Sequence, residues 1–230
     1  MKSAVLFDFD GTLAFMQPSH RELYEQAINE CNKSTQSFSV NEFNVQDAWE
    51  KWRTDKGIEH LQYSRSKEDY HELRKNIHAN RLKKLNIQNN VEMISERIIE
   101  LESNTNFYIL YDDVIESLNM LSQYNIEMGI VSNHLWNLKD ITQYLGINKY
   151  FKCIISSAQI GYRKPHPEIY ESALSQINSL SNDVLFIGDN LESDYFGPIK
   201  AGLSAILLDR NGTNEMHDSI NSLNELSALL

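Results

Sequence analysis

Four aspartates stand where apolar runs end. Asp8 and Asp10 follow Ser3-Ala4-Val5-Leu6-Phe7, and Asp189 and Asp194 follow Val184-Leu185-Phe186-Ile187-Gly188. Short apolar runs bounded by turn residues read as buried strands. In an open α/β sheet, ligands bind beyond the carboxyl ends of the strands. If the two runs are neighbours, the four carboxylates converge. Like charges within ~4–6 Å raise one another's pKa and oppose folding unless a cation sits among them. Carboxylates beside water and phosphate suit Mg²⁺, a hard ion that takes oxygen ligands. Each acid also has a plainer reading: Asp10 makes the turn before Gly11, and Asp189 caps a helix. The plainer readings account for either acid alone better than for both in their contexts.

Two further groups sit at matching positions. Ser132-Asn133 follows the run Met128-Gly129-Ile130-Val131. A hydroxyl and backbone N–H groups there can hold phosphate oxygens, although a serine in that place also reads as a helix cap. Lys164 lies in Gly161-Tyr162-Arg163-Lys164-Pro165-His166-Pro167, where glycine and prolines stiffen a loop and fix where the lysine points. Arg163, next door, is the alternative anion contact, and a loop lysine also reads as solvated surface.

The elements that must position these groups alternate. Strands are expected near 3–8, 126–132, 153–157, 183–189 and 205–208. Helices are expected over 114–121, 135–145, 167–177, 193–202 and 223–229. From about Pro18 to Asn104 the periodicity is helical instead. Leu23, Ala27, Ile28 and Cys31 share one face, and Ser39-Val40-Asn41-Glu42 has the form of a capping box before Val45, Trp49 and Trp52. Ser66 caps a stripe of Tyr70, Leu73, Ile77 and Leu85, and Val91, Ile94, Ile98 and Leu101 form a fourth. Strand–helix alternation predicts a parallel sheet with helices on both faces. The expected fold is therefore α/β: a Rossmann-like, doubly wound parallel sheet core with an inserted α-helical cap. Residues 1–16 and 106–230 form the core and 17–105 the cap.

Composition narrows the function classes. The net charge is −11, which repels nucleic acid and anionic lipid, so neither is an expected partner. Residues 14–110 carry 13 Lys+Arg against 15 Asp+Glu, whereas the rest carries 8 against 17. The sheet part is thus acid-rich where a cation would sit. The two cysteines, Cys31 and Cys153, are too few for a disulfide framework and read as buried thiols in a reducing compartment. The apolar start is broken at once by Asp8 and Asp10, which does not resemble a secretory signal. No apolar run approaches the ~20 residues of a membrane span. A cytoplasmic protein is expected.

The sequence resembles the haloacid dehalogenase (HAD) superfamily over nearly its whole length, specifically phosphatases with a helical cap inserted after the first motif. Asp8-Phe9-Asp10-Gly11-Thr12-Leu13 looks like the first motif and Val131-Ser132-Asn133 like the second. Lys164-Pro165-His166-Pro167-Glu168-Ile169-Tyr170 is similar to the third, and Gly188-Asp189-Asn190-Leu191-Glu192-Ser193-Asp194 to the fourth. The resemblance implies that Asp8 attacks phosphorus to form an aspartyl-phosphate. It implies that Asp10 protonates the leaving oxygen, then deprotonates the hydrolytic water. The Asp8 carboxylate, the Asp10 main-chain carbonyl and Asp189 would hold Mg²⁺, with Asp194 close by or acting through water. Ser132, Asn133 and Lys164 would bind the phosphoryl group. Dehalogenases proper lack an acid where Asp10 stands, so phosphorus chemistry is implied over carbon chemistry.

The expectation is a Mg²⁺-dependent phosphatase of a small phosphorylated metabolite, a monomer or weak homodimer. The alternatives are a sugar phosphomutase of the same superfamily and a catalytically inactive phosphate-ligand binding protein. One departure concerns specificity. Phosphatases of this type often carry a polar pair shortly after Gly-Thr-Leu, whereas this chain has Ala14-Phe15-Met16. These residues read as packing against the cap or as an apolar wall beside the substrate. In the cap, Arg53, Lys56, Arg65 and Arg74 are candidate substrate contacts. They, and His20, His60, His71 and His78, read otherwise as solvated groups, and the histidine spacings form no metal set.

Overall fold

The computed structural model describes residues 2–32, 57–58, 60–213 and 218–229. Among these residues the chain forms eight strands: β1 (Ala4–Phe7), β2 (Ala14–Met16), β3 (Tyr108–Leu110), β4 (Glu127–Ser132), β5 (Cys153–Ser156), β6 (Val184–Gly188), β7 (Ser204–Leu208) and β8 (Ser219–Ile220). Six of them make one sheet in the order β5-β4-β1-β6-β7-β8, and every neighbouring pair is parallel. The fold is the expected Rossmann-like α/β sheet. Its strand order turns at β1, with β4 and β5 on one side and β6 to β8 on the other, and such a switch point opens a crevice at the carboxyl edge.

All four residues of β1 are buried, because both faces of the sheet are covered. Side chains alternate across a strand. Val5 and Phe7 join one core with Val114, Leu118 and Leu121 of helix Val114–Gln123, whereas Ala4 and Leu6 join another with Ile169, Tyr170 and Ala173 of helix Pro167–Leu174. Register then places the polar ends. Phe7 lies opposite Ile130 on β4 and Ile187 on β6, so Asp8, Ser132 and Asp189 emerge at the same edge.

Between β2 and β3 lie helices α1 (His20–Asn32), α2 (Lys67–Lys84) and α3 (Val91–Glu102). Leu23, Ala27, Ile28, Leu82, Ile94, Ile98 and Leu101 form their shared core. Ser66 caps α2 as expected, its hydroxyl accepting from the Asp69 amide at 3.0 Å. The stripe Tyr70, Leu73 and Ile77 packs against Ala158, Leu135 and Trp136 of the sheet-bearing part. The expected capping box at Ser39, the residues Val45, Trp49 and Trp52, and the candidate contacts Arg53 and Lys56 lie outside the described residues.

Several expectations are corrected. The antiparallel ribbon of β2 and β3, pairing Ala14 with Leu110 and Met16 with Tyr108, was not anticipated. Three-residue strands are too short to show a period. β8 escaped for the same reason. The strand ending near 157 stops at Ser156, whose hydroxyl caps a short helix Ser157–Ile160. The helix expected over 193–202 is a π-helical turn, Leu191–Phe196, followed by the short helix Gly197–Lys200. The helix expected near 223–229 is a 3-10 helix, Leu223–Ala228. Cys153 is buried as expected, but Cys31 is only partly so, since it lies near the end of α1. Among the described residues, no helix is long and apolar enough to cross a membrane.

Candidate active site

Asp8, Asp10, Ser132, Asn133, Lys164 and Asp189 line one cavity of about 440 Å³ at the carboxyl edge of the sheet. Asp8 directly follows β1, Ser132 ends β4 and Asp189 follows β6. Asp194 is fully buried beneath them. One ligand atom from each of Asp8, Asp189 and Asp194 lies within 4.8 Å of the others.

Two glycines permit this approach. Gly11 has φ +77, and a side chain there would collide with the Asp189 carboxylate. A Cβ at Gly188 would fall 2.5 Å from Oδ2 of Asp194.

Asn190 organises the segment between the last two acids. Its side-chain oxygen accepts from the amides of Glu192 and Ser193, at 3.2 and 3.1 Å, and so caps the turn. The helix-cap reading of Asp189 therefore belongs to its neighbour. Asp194 accepts from the Asn190 amide at 3.0 Å and from the Ser193 hydroxyl at 3.0 Å.

Lys164 is buried, and its Nζ stands 2.7 Å from both Asp8 Oδ1 and Asp194 Oδ1. Burial alone would lower its pKa, but the carboxylates of Asp194 and Asp8 outweigh it and hold the ammonium above its ordinary value. Asn133 fixes the lysine's backbone: Lys164 N–H donates to Asn133 Oδ1 at 2.8 Å, and Asn133 Nδ2 donates to the Lys164 carbonyl at 3.0 Å. The Asn133 side chain is thus spent on positioning. Ser132 is 2% exposed at the end of β4, and the helix that follows, Leu138–Tyr144, has Asn137 and not Ser132 at its N-cap position.

The acids are under-neutralised. Asp189 is exposed at the cavity, yet desolvation by the protein around it and the charges of Asp8 and Asp194 raise its pKa. Asp194 is raised by burial and by Asp8, against the pull of Lys164. Asp10 leaves 49% of its side chain open. The protein around it still raises its pKa by desolvation, while His134 opposes and Asp8 adds to the rise. Three hard oxygen donors around a single ammonium fit a small divalent cation such as Mg²⁺.

His134 was missed by sequence reasoning, although it directly follows Ser132-Asn133. Its Nε2 lies 3.6 Å from Asp10 Oδ2, and its ring stands edge-on to Phe9. A second, small cavity of about 70 Å³ lies beyond Asp10, lined by Met16, His20, His60, Tyr70, Arg74 and His134 among others. Met16 thus forms part of a wall near the site, while Phe15 packs on Tyr111 with ring centroids 5.1 Å apart.

The reading of the cap cations and histidines as solvated is corrected at three positions. Arg74 is 3% exposed and pairs with Glu102, which is equally enclosed. His60 and His78 are buried, and desolvation takes their pKa values down to about 3 and about 4. Single residues on a helical stripe do not reveal that a polar neighbour will accompany them inside. Arg65 is exposed, and His20 and His71 stay partly open beside Glu102 and Glu96.

Comparison with known proteins agrees with this layout. The chain is 32% identical over 113 residues to the pyrimidine 5'-nucleotidase YjjG of Escherichia coli (strain K12), covering 46% of this chain and 50% of that protein. It is 30% identical over 110 residues to the pyrophosphatase PpaX of Listeria monocytogenes serotype 4a, covering 47% and 48%. The chain thus spans about half the length of the curated relatives it matches. The crystal structure of YfnB from Bacillus subtilis bound to magnesium superposes with a TM-score of 0.67 at 20% identity, over 100% of this chain and 98% of that one. A family model described as haloacid dehalogenase-like hydrolase matches residues 2–202, from before β1 to beyond the motif that ends at Asp194. With its acids gathered at the edge of that sheet, the chain belongs to the haloacid dehalogenase-like hydrolases.

Proposed function

We propose that the chain is a Mg²⁺-dependent phosphatase that hydrolyses a small phosphorylated metabolite through an aspartyl-phosphate on Asp8. The observation that carries this reading is the pairing of Asp8 with Asp10 at one cavity, with a buried lysine on the first and an open carboxyl on the second. A carboxylate nucleophile splits one hard displacement into two easier ones.

In the first step an Asp8 carboxylate oxygen attacks phosphorus as the bond to the leaving oxygen breaks. Asp10, two residues on, gives its proton to that oxygen, an assistance worth roughly 10²–10⁴-fold. In the second step Asp10 takes a proton from water, which attacks the phosphorus and frees Asp8. Lys164 and Ser132 hold phosphoryl oxygens, and Asn133 keeps Lys164 in place. Phosphoryl transfer depends mostly on such positioning and on charge stabilisation. Mg²⁺, held by the Asp8 carboxylate, the Asp10 main-chain carbonyl and Asp189 with Asp194 alongside, would neutralise charge on the phosphoryl oxygens.

Residues 17–105 act as a cap on this reading, excluding water and selecting the leaving group by shape. The partner is a small phosphorylated metabolite, with no role for nucleic acid or membrane. The magnesium in the YfnB structure, and the phosphorus-centred activities in the names of YjjG and PpaX, support the same reading.

The experiment is phosphate release from p-nitrophenyl phosphate and from a panel of phosphorylated metabolites, with and without Mg²⁺. Mg²⁺-dependent release is expected. No release from any member, with the protein folded, would reject the reading.

A further inference from the structure

Arg210, just beyond β7, reaches the turn that carries Asp10. Its Nη2 donates to the Thr12 carbonyl at 2.7 Å and its Nε to the Gly11 carbonyl at 3.3 Å. The same guanidinium binds Asp113 through two parallel hydrogen bonds of 3.0 Å, to Oδ1 and Oδ2. Its plane lies over the Tyr111 ring, 3.9 Å from the centroid.

Asp113 is itself anchored. Its Oδ2 accepts from the Ser222 hydroxyl and the Leu223 amide, each at 2.9 Å. The C-terminal segment, Asp113 and Arg210 thus form a continuous strut ending on two carbonyls of the Asp10 turn. Within that turn, the amides of Thr12, Leu13 and Ala14 all donate to the Phe9 carbonyl. The Gly11 and Thr12 carbonyls of the same turn are the ones Arg210 takes up.

Asp10 depends on this bracing. Within 4 Å its carboxylate has one ionic neighbour among the described residues, His134 at 3.6 Å. The backbone of the turn therefore decides where the carboxyl stands relative to Asp8. We propose that Arg210 is a positioning residue that holds Asp10 where it can protonate the leaving oxygen. This rests on the phosphatase reading and adds a residue outside the four acidic and phosphate-binding motifs. A planar fork with a stacked face suits the task, and a lysine would replace it only in part.

The test uses two esters of nearly the same shape, p-nitrophenyl phosphate and phenyl phosphate. Their leaving groups have pKa values of about 7 and about 10, so only the second needs much help from an acid. The parameter is kcat/KM, which ends at the first irreversible step and leaves out hydrolysis of the aspartyl-phosphate. Arg210→Gln should lose about 10- to 100-fold more on phenyl phosphate than on p-nitrophenyl phosphate. Arg210→Lys, which keeps the charge but replaces the planar fork by a single ammonium, should fall between it and the unmodified protein. It also serves if the glutamine variant does not fold. An equal fall on both esters in whichever variant folds, or no fall, would overturn the role of Arg210 and leave the phosphatase reading standing. Inactivity of the unmodified protein on both esters would instead reject the phosphatase reading and this role with it.

Discussion

The ammonium of Lys164 lies 2.7 Å from the carboxylate of Asp8, and the same ammonium lies 2.7 Å from Asp194. One buried cation thus ties the loop after α-helix Ser157–Ile160 to acids that follow β1 and β6.

Removing that cation leaves two carboxylates facing each other. Lys164→Met should cost about 3–5 kcal/mol in stability, because a buried charge loses its partner. Urea unfolding measures it. On the proposed mechanism turnover should also fall by at least about 10²-fold, since Lys164 would there be a preorganised donor to phosphoryl oxygens. A loss below about 1 kcal/mol would mean that the acids are neutralised by something other than Lys164.

Divalent ions should stabilise the protein, and more so at higher pH. Asp189 and Asp194 have pKa values raised above the ordinary carboxylate range. Their contribution is complete below the unfolded pKa of about 4 and is lost as pH rises through the raised values. On the proposed reading Mg²⁺ would replace the protons as they leave. At a hundredfold excess over its Kd it adds about 2.7 kcal/mol. The rise in Tm should therefore be larger at about pH 8 than at about pH 5.5, EDTA should reverse it, and Asp189→Asn should remove most of it. An equal rise at both pH values, or none, would count against a cation among these acids.

A separate acid sensitivity is expected from the helical segment. His78 is fully enclosed, with Nδ1 2.5 Å from the Tyr24 hydroxyl and Nε2 3.1 Å from Glu102. Burial takes its pKa down to about 4 despite the Glu102 charge. The unfolded chain binds this proton near pH 6.5 and the folded one does not, so stability falls as pH drops below about 6.5. At pH 5 the loss is about 2 kcal/mol from this group. His60 pushes the same way, while Asp189 and Asp194 push the other. Comparing His78→Gln with the unmodified protein isolates the histidine. The variant's stability should change less between pH 7.5 and pH 5 by about 2 kcal/mol, and an identical pH profile would contradict it.

The sheet and the convergence of its acids were legible because strand ends carry strong signals. Val5 and Phe7 are apolar whichever face they take, and an Asp immediately after such a run marks where the strand leaves the apolar core. Parallel register then determines which strand ends meet. The ribbon of Ala14–Met16 with Tyr108–Leu110 was not legible, since its pairing depends on two passages of chain meeting after the helices between them have packed. Arg74, Glu102 and His78 were hidden for a related reason. Each looks like a surface residue alone, and their burial is tolerable only as a mutually paired group. His134 stands beside the second motif and Arg210 lies well past the fourth, and only the folded chain brings them to Asp10 and its turn.

The most direct test of the account is to catch the covalent intermediate. Asp10→Asn should still accept phosphorus from p-nitrophenyl phosphate, whose leaving group needs little acid, and should fail to hydrolyse the product. Rapid quenching and mass spectrometry should then find about 80 Da added to the peptide containing Asp8, and none when Asp8→Asn is combined with it. Phosphate on any other residue, or normal turnover by Asp8→Asn alone, would contradict the assignment of Asp8 as the nucleophile.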